Sequence, residues 1–349
     1  VPQFPAEDAK QRASRLAIRR GGNCPNSLEV LQQLLGPQDA VRTYLVSSLP
    51  SESSPATQRI RDSFSFAGES SSSSSSPPSP VSLELCLYRE AHTQAASSYI
   101  IHSEQTGSRT IVNYNDLPEM TVGEFEAVVR RFSASEDTWW HFEGRIPDTT
   151  LECVRTLRDK LPNAQISVEV EKPGRDGLHE LAAEADVVFY SKSWAERKRV
   201  LPSTLEHPAC DVVLLNESWP LDSTIVNPYR ARSTHTHTRS SRSLALCTWG
   251  AEGAAALRQP SEQVIHCPVE TRAKSIFVVD SVGAGDTFIA GMLYSLVCRS
   301  RDWDISHGLR FAVHLATTKV QREGFQGLGA HVRDWLHQQP TQTPRSVPS

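Results

Sequence analysis

The sequence lacks the features that define several protein classes. Its seven cysteines are scattered, odd in number and free of CxxC pairs, which argues against a disulfide framework or a zinc site and favours a reducing, cytoplasmic compartment. No stretch approaches the ~18–20 consecutive apolar residues of a membrane helix, and the N-terminus has no apolar signal segment. The formal net charge of −4, with no basic stripe, argues against a nucleic-acid partner. These absences favour a cytoplasmic protein without a membrane or nucleic-acid partner.

Apolar residues are also scarce, at 38% of the 349 residues, and there are 22 prolines. The length indicates about two domains or one α/β domain with additions, and the composition predicts that part of the chain does not pack. The Ser/Pro-rich stretch 47–80, with its unbroken run Ser70–Ser76, is predicted to be a disordered insertion. A flexible insertion is predicted at 220–242, where His235 and His237 are interpreted as loop residues, and a disordered tail at 339–349.

Hydrophobic periodicity predicts regular elements in the rest of the chain. Helices are predicted at 25–35, 124–132, 150–161, 284–298 and 308–320, and strands at 98–101, 109–114, 139–143, 166–171, 186–190, 244–248 and 275–279. Strand and helix alternate through the second half, which predicts a parallel sheet with crossover helices. The two early strands predict a small β-hairpin attached to this core.

The segment Asp280–Asp286 has the pattern of an anion site. An apolar run leads into Gly283-Ala284-Gly285 and then into a helix, so small residues and unpaired helix N–H groups meet at one point. Asp286 would be well placed there to accept a proton from a hydroxyl that attacks a phosphate. The alternative is an acidic residue that only favours the helix dipole. The pattern is neither GxxxxGK[ST] nor GxGxxG, so it supports neither a P-loop nor a dinucleotide site.

Three further motifs carry candidate binding residues. Gly22, Asn23 and Asn26 precede or open a helix, where the amides suit recognition of sugar hydroxyls or, alternatively, act as a cap. Trp249, Gly250 and Gly253 follow an apolar strand, at a strand end where α/β sheets bind ligands or in an ordinary βα turn. Glu169 and Glu171 share one face of a strand and could hold Mg²⁺ or form a solvated acidic face.

These motifs, in this order, resemble the ribokinase (PfkB-type) family of carbohydrate kinases. Asp280–Asp286 is similar to the second signature of that family and Gly21–Asn26 to the first. Other strings resemble the ketohexokinase branch of the family, and the likeness runs from residue 1 to about residue 332. These strings are 107–111, 141–145, 168–173, 186–192 and 324–327.

The resemblance implies a Rossmann-type αβα core that binds ATP, and a β-sheet lid that covers the sugar and forms a homodimer. Residues 1–46 would supply the N-terminal sugar-binding part, 81–118 the lid strands and hinge, and 119–338 the ATP-binding core. The implied reaction is transfer of phosphate to a sugar hydroxyl, D-fructose giving fructose 1-phosphate, with Mg²⁺ and often K⁺. The implied roles are a catalytic base at Asp286, an anion hole at Gly283, Ala284 and Gly285, sugar contacts at Gly22, Asn23 and Asn26, and nucleotide contacts at Arg109, Lys192, Trp249, Gly250 and Gly253.

The sequence also departs from the family pattern. The N-terminal core strand and its sugar-binding Asp are expected to be missing, because the chain begins after their usual place. Ser191–Trp194 stands where ribokinases have an Asn-x-x-Glu motif for Mg²⁺, and Ala251 stands where ketohexokinases have an acidic residue. Two alternatives therefore stay open: a non-catalytic remnant of the family, and a ribokinase-like or adenosine-kinase-like enzyme with another acceptor.

Overall fold

The computed structural model describes residues 1–65, 81–197, 244–258, 263–270 and 276–336. The predicted insertion 220–242, the serine run and the predicted tail lie outside these ranges. Among the described residues, none of the helices is both long and apolar enough to cross a membrane.

A six-stranded mixed sheet forms the centre of the fold. Strands β5 (Trp139–Glu143), β6 (Gln165–Val170), β7 (Val187–Tyr190) and β8 (Leu244–Thr248) are parallel, and β9 (Ala254–Arg258) and β10 (Gln263–Cys267) continue antiparallel. The spatial order is β10-β9-β8-β7-β6-β5. Residues 1–22 contain no strand, and β5 is an edge strand of this sheet as far as the structure describes the chain. The predicted parallel sheet is thus confirmed for four strands, and the antiparallel strands β9 and β10 were not predicted.

Helices cover both faces of this sheet. On one side lie α3 (Val122–Val129), α4 (Pro147–Lys160) and α5 (Leu178–Ala183), packed on Ile166, Val168 and Val188. On the other side lie α7 (Ala284–Cys298) and α8 (Ile305–Val320), packed on Val187, Phe189 and Leu246. Odd and even residues of a strand face opposite sides, so the apolar runs of β7 and β8 supply both cores, while β6 supplies the first core. Three short helices are α6 (Lys192–Arg197), α9 (Leu328–His331) and α10 (Arg333–Leu336). Helix α6 packs on the first of these two cores, and α9 and α10 pack against a further apolar cluster.

Helix α7 is buried on nearly all sides. Phe288, Ile289 and Met292 face the sheet, while Ala290 and Tyr294 face helix α1 (Asn23–Leu34) across a separate apolar cluster. A Cβ on Gly291 would lie 2.9 Å from the Ala312 backbone of α8, so this glycine permits the close approach of the two helices. Packing of α1 on α7 brings the two glycine-containing motifs together.

Two smaller sheets lie outside this core. Strands β3 (Ser97–His102) and β4 (Arg109–Tyr114) form the predicted antiparallel hairpin. Strand β1 (Ser48–Pro50) pairs in parallel with β2 (Leu87–Arg89), and helix α2 (Pro55–Asp62) follows β1.

The prediction that 47–80 is disordered throughout is wrong for residues 47–65. The Ser54 hydroxyl accepts a hydrogen bond from the Thr57 N–H at 3.1 Å and caps α2, and Leu49 and Phe64 are buried among Leu45, Val81 and Leu83. The average composition of residues 47–80 does not reveal the few apolar residues and the helix cap that order residues 47–65.

The strand predicted at 275–279 is also wrong for its described residues. Residues 276–279 are coil, and Phe277, Val278 and Val279 are 78%, 56% and 52% exposed. The N–H groups of Val279 and Asp280 donate to the Val320 carbonyl at the end of α8, at 2.8 and 3.1 Å. This contact with a helix end replaces strand pairing.

Candidate active site

The carboxyl ends of the four parallel strands lie at one edge of the sheet, together with the starts of α1 and α7. Glu143 ends β5, Glu169 and Glu171 lie at the end of β6, and Lys192 follows β7. Open α/β sheets bind ligands at this edge. The predicted anion loop and the predicted sugar-binding amides are both at this edge.

Asp286 lies in the first turn of α7, with 7% of its surface exposed. Its Oδ2 accepts a hydrogen bond from Asn26 Nδ2 at 2.7 Å, and its backbone carbonyl accepts one from the Ser27 hydroxyl at 3.0 Å. Burial raises the pKa of Asp286 to about 7, while the Asn26 hydrogen bond opposes the rise. A carboxyl group with a pKa near neutrality can act as a general base at physiological pH.

The loop before Asp286 forms an open helix start. Gly283 is in the left-handed region, with φ of 78°, and a Cβ there would lie 2.3 Å from the Phe325 ring. A Cβ on Gly285 would meet no atom within 4 Å, so space is open in front of the helix. The first N–H groups of a helix have no acceptor within the helix and are available to a ligand. At this helix start, the Ala284 N–H makes a long hydrogen bond of 3.3 Å to the Ser281 carbonyl, which lies before the helix. The geometry fits an anion at this helix start.

Helix α1 presents its first two asparagines to the same place. Gly22 is the N-cap residue of the helix, with φ of 99°, so no side chain caps this helix start. Asn23 Nδ2 donates to Glu169 at 3.0 Å and to Glu171 at 3.4 Å, and Asn26 donates to Asp286. Neither amide caps α1, so the alternative interpretation of Asn23 as a helix cap is wrong. Both amides instead join α1 to the acidic residues of the sheet edge and α7.

Glu169 and Glu171 lie on one face, as predicted, since one amide contacts both. Burial raises the pKa of Glu169 to about 8, opposed by the Asn23 hydrogen bond and reinforced by Asp286, Glu171 and Glu143. Within the described ranges, no group of three or more His, Cys, Asp or Glu side chains could hold a metal ion by itself. Glu169 and Glu171 stay the predicted Mg²⁺ ligands of this edge.

We expect Glu169→Gln to change how stability depends on pH. The pKa of Glu169 is raised in the folded state, so folding favours the protonated form and stability falls as pH rises from about 4.5 to 8. The variant has no such charge, and its Tm at pH 9 should exceed that of the wild type by at least about 2–4 °C, the change expected for 1 kcal/mol. The two Tm values should converge near pH 4.

Thermal unfolding in metal-free buffer over pH 4–9 measures this difference. Glu152→Gln is the matched control, because the Glu152 side chain is 55% exposed on α4. Parallel Tm curves for the wild type and Glu169→Gln at all pH values would contradict the expectation.

The predicted nucleotide-contact residues fall into two groups. Lys192 Nζ lies 2.9 Å from Glu252 Oε1, which joins α6 to the turn formed by Gly250 and Gly253. This turn connects antiparallel β8 and β9, so the alternative of a βα turn is wrong. A Cβ on Gly253 would lie 2.0 Å from the Cys267 carbonyl.

Trp249 and Arg109 lie in different surroundings. The Trp249 side chain is 7% exposed and packs in the apolar core between the sheet and α3–α5. Arg109 is exposed at the start of β4, where it is paired with His102 of β3. Ser191, in place of the family's Asn, caps α6 by accepting from the Trp194 N–H at 3.1 Å.

Sequence reasoning missed two buried cations beside the motifs. Arg20 contacts Asn26, and the Lys319 ammonium lies 2.8 Å from the Asp280 carbonyl and 3.0 Å from its carboxylate. The position of Arg20, directly before Gly21-Gly22, was the only signal for the first. No local pattern marks Lys319, which reaches Asp280 from the end of α8.

The fold is an α/β sheet with helices on both faces, and a buried carboxyl group lies in the first turn of α7 at the carboxyl edge of this sheet. A family model described as pfkB family carbohydrate kinase matches residues 86–330. Ketohexokinase of Mus musculus is 28% identical over 336 residues, which cover 94% of this chain and 93% of that protein. The chain belongs to the pfkB family of carbohydrate kinases, as the sequence motifs predicted.

Solved structures have the same fold. A ribokinase from Giardia lamblia superposes with a TM-score of 0.64 at 17% identity, covering 96% of this chain and 93% of that one. An Arabidopsis thaliana ribokinase complexed with ribose and ATP superposes with a TM-score of 0.62 at 18% identity, covering 92% and 88%. The predicted ribokinase-like core is confirmed.

Proposed function

We propose that this carbohydrate kinase transfers the γ-phosphoryl group of ATP to a hydroxyl of a ketose, with D-fructose giving fructose 1-phosphate. The contact of Asp286 with Asn26 carries the proposal, because it joins a buried carboxyl group at a helix start to an amide suited to sugar hydroxyls. The likeness to a ketohexokinase supports the choice of a ketose. Ribose is the second candidate acceptor, because a related fold was solved with ribose and ATP.

In this proposal Asp286 receives the proton of the attacking hydroxyl. The hydroxyl oxygen forms a bond to the γ-phosphorus, the bond from phosphorus to the β–γ bridging oxygen breaks, and ADP leaves. Asn26 donates to Oδ2 of Asp286, and in this proposal Oδ1 receives the proton of the acceptor hydroxyl. Gly22 and Asn23 would contact other hydroxyls of the sugar.

The N–H groups at Gly283, Ala284 and Gly285 would stabilise the charge on the transferring phosphoryl group. No Cβ blocks this approach at Gly285. Mg²⁺, when bound, would neutralise the phosphates, and Glu169 and Glu171 are the carboxylates of this edge that would hold it. Contacts of Lys192, Gly250 and Gly253 with the nucleotide stay a prediction, as do those of Arg109 and Trp249.

The hairpin β3–β4 is proposed as a lid and as a dimer contact. Tyr99 and Val112 are paired residues and are 64% and 59% exposed, and the pair Ile100 and Ile111 is 50% and 49% exposed. Directly opposite residues share a face and neighbours alternate, so both faces carry apolar side chains. One face would cover the sugar and the other a second copy of the chain. Activation by K⁺ and a cytoplasmic location stay predictions.

The test is ATP-dependent phosphorylation with purified full-length chain. ADP release and product mass are measured with D-fructose, other ketoses, ribose and adenosine, with and without Mg²⁺. The proposal expects the highest kcat/KM for a ketose and a 1-phosphate product. A higher kcat/KM for ribose or adenosine would replace the proposed acceptor, and no turnover of any acceptor by folded protein would favour a non-catalytic member of the family.

A further inference from the structure

Arg20 is a buried cation next to the proposed catalytic base. Its side chain is 4% exposed and pairs with the Glu29 carboxylate of α1, which is 18% exposed. Its Nη1 donates to Asn26 Oδ1 at 2.8 Å, and its Nε donates to the Ser63 hydroxyl at 2.9 Å. Its guanidinium group lies over the Phe64 ring, 4.9 Å from the centroid. Burial of a charge is costly unless the charge is paired and hydrogen-bonded, and these contacts pair and hydrogen-bond the guanidinium group.

The contact with Asn26 determines which end of that amide faces Asp286. An amide has a donor nitrogen and an acceptor oxygen. Arg20 has only donors, so it holds Asn26 Oδ1 on its own side and leaves Nδ2 to donate to Asp286 at 2.7 Å. The opposite orientation would place two acceptors against each other at Asp286 and two donors at Arg20.

We propose that Arg20 is a positioning residue for phosphoryl transfer, which acts through Asn26 to keep Asp286 Oδ2 occupied and Oδ1 directed at the acceptor hydroxyl. This proposal rests on the proposed function of Asp286. Glu29 holds the guanidinium group from α1, and Ser63 and Phe64 hold it from the segment that follows α2. The folded part of the Ser/Pro-rich stretch thereby contributes to the order of the site.

Charged groups from several elements face Asp286. Glu143 of β5 and Glu171 after β6 raise its pKa, as does burial, while Arg20 lowers it together with the Asn26 hydrogen bond. Glu169, Cys24 and Lys319 also interact electrostatically with Asp286. Removal of the Arg20 charge therefore leaves the acidic neighbours without this opposing cation, and we expect the pKa of Asp286 to rise.

The experiment compares Arg20→Gln, Arg20→Lys and Asn26→Ala with Arg20→Gln/Asn26→Ala. Arg130→Gln is the matched control, because Arg130 is 68% exposed and pairs with Glu126 on α3. For each protein, kcat and KM for sugar and ATP are measured from pH 5.5 to 9, and Tm confirms that the protein assayed is folded.

Arg20→Gln is expected to lower kcat by about 10- to 100-fold, the loss that follows a small misplacement of a reacting group, with a smaller change in KM for ATP. The pH midpoint of kcat should move to higher pH. Arg20→Lys should keep the midpoint near that of the wild type, because it keeps the charge. In the Asn26→Ala background, Arg20→Gln should cause little further loss of kcat, because both changes break the same connection.

Carbodiimide labelling of Asp286, followed by mass spectrometry against pH, gives a second readout that does not need turnover. Carbodiimides react with protonated carboxyl groups. The pH midpoint of Asp286 labelling should therefore be higher in Arg20→Gln than in the wild type, and unchanged in Arg130→Gln. Unchanged kcat and labelling midpoints in folded Arg20→Gln would overturn the proposal, as would a full additional loss in the double variant. A folded wild type that labels as expected but transfers no phosphate would instead overturn the proposed function and leave the role of Arg20 toward Asn26 and Asp286 intact.

Discussion

Asp286→Asn is expected to reduce kcat by about 10²- to 10⁴-fold, the contribution of a positioned general base. The amide cannot accept the proton of the attacking hydroxyl, while its size keeps the contacts with Asn26 and Ser27 in place. KM for ATP should change much less, because the carboxyl group acts on the acceptor. Initial rates at saturating ATP and sugar measure the effect.

The dependence of kcat on pH tests whether the ionised form of Asp286 is the active one. Because burial raises the pKa of Asp286 to about 7, the wild-type kcat should rise with pH and level off above about pH 7, where the carboxylate is ionised. Asp302→Asn is the matched control, since Asp302 is exposed after α7. Near-normal turnover of folded Asp286→Asn would contradict the assignment of Asp286 as the base.

Lys319→Met is expected to destabilise the fold by about 3–5 kcal/mol, the cost of removing one partner of a buried ion pair. The Lys319 side chain is fully buried, and its ammonium group contacts both the carbonyl and the carboxylate of Asp280 and lies 5.4 Å from the Phe325 ring centroid. Methionine keeps the length and removes the donors. Urea unfolding at pH 7 measures the loss.

This loss should depend on pH. Burial raises the pKa of Asp280, but hydrogen bonds from Lys319, Val282 and Gly324 together hold it below its ordinary value of 3.8. The contribution of the pair is therefore present above about pH 4 and is lost as pH falls through the lower pKa of the folded state. The difference between the wild type and Lys319→Met should shrink in acid.

Lys160→Met is the control, because Lys160 is 48% exposed beside Asp159, and surface pairs contribute about 0–1 kcal/mol. Lys319→Met/Asp280→Asn should recover part of the loss, since Asp280 would otherwise keep its charge with Arg19 as the remaining ion-pair partner at 3.1 Å. If the free energies of unfolding of Lys319→Met and Lys160→Met differ by less than about 1 kcal/mol, the buried ion pair stabilises the fold no more than a surface pair does.

Several elements could be predicted because their signals are local. The helix at Ala284–Cys298 was predicted with approximate bounds, since Gly-Ala-Gly marks its start and an apolar run follows. The strand at Trp139–Glu143 and the hairpin of β3 and β4 were predicted from aromatic or β-branched runs and a polar turn. Each pattern is complete within a few residues.

Other elements could not be predicted because they depend on partners far along the chain. Strand β9, with the sequence Ala-Ala-Ala-Leu-Arg, has little β-propensity of its own and is a strand because it pairs with both β8 and β10. In contrast, Phe277–Val279 has strand-like residues but pairs with no strand of the described ranges, and it stays exposed coil. Tertiary pairing overrides local preference in both cases.

The candidate site divides in the same way. The sequence by itself determined the residue types of the site and their family: an acid after Gly-Ala-Gly, two amides after Gly-Gly, and acidic residues on one strand face. Only the tertiary structure decided their connections, in which Arg20 orients Asn26 toward Asp286, Asn23 joins the carboxyl groups of β6, and Lys319 neutralises Asp280. The physical reason is that hydrogen bonds and ion pairs depend on distances of about 3 Å in space, and packing of α1 and α8 against α7 sets these distances between residues up to 260 positions apart.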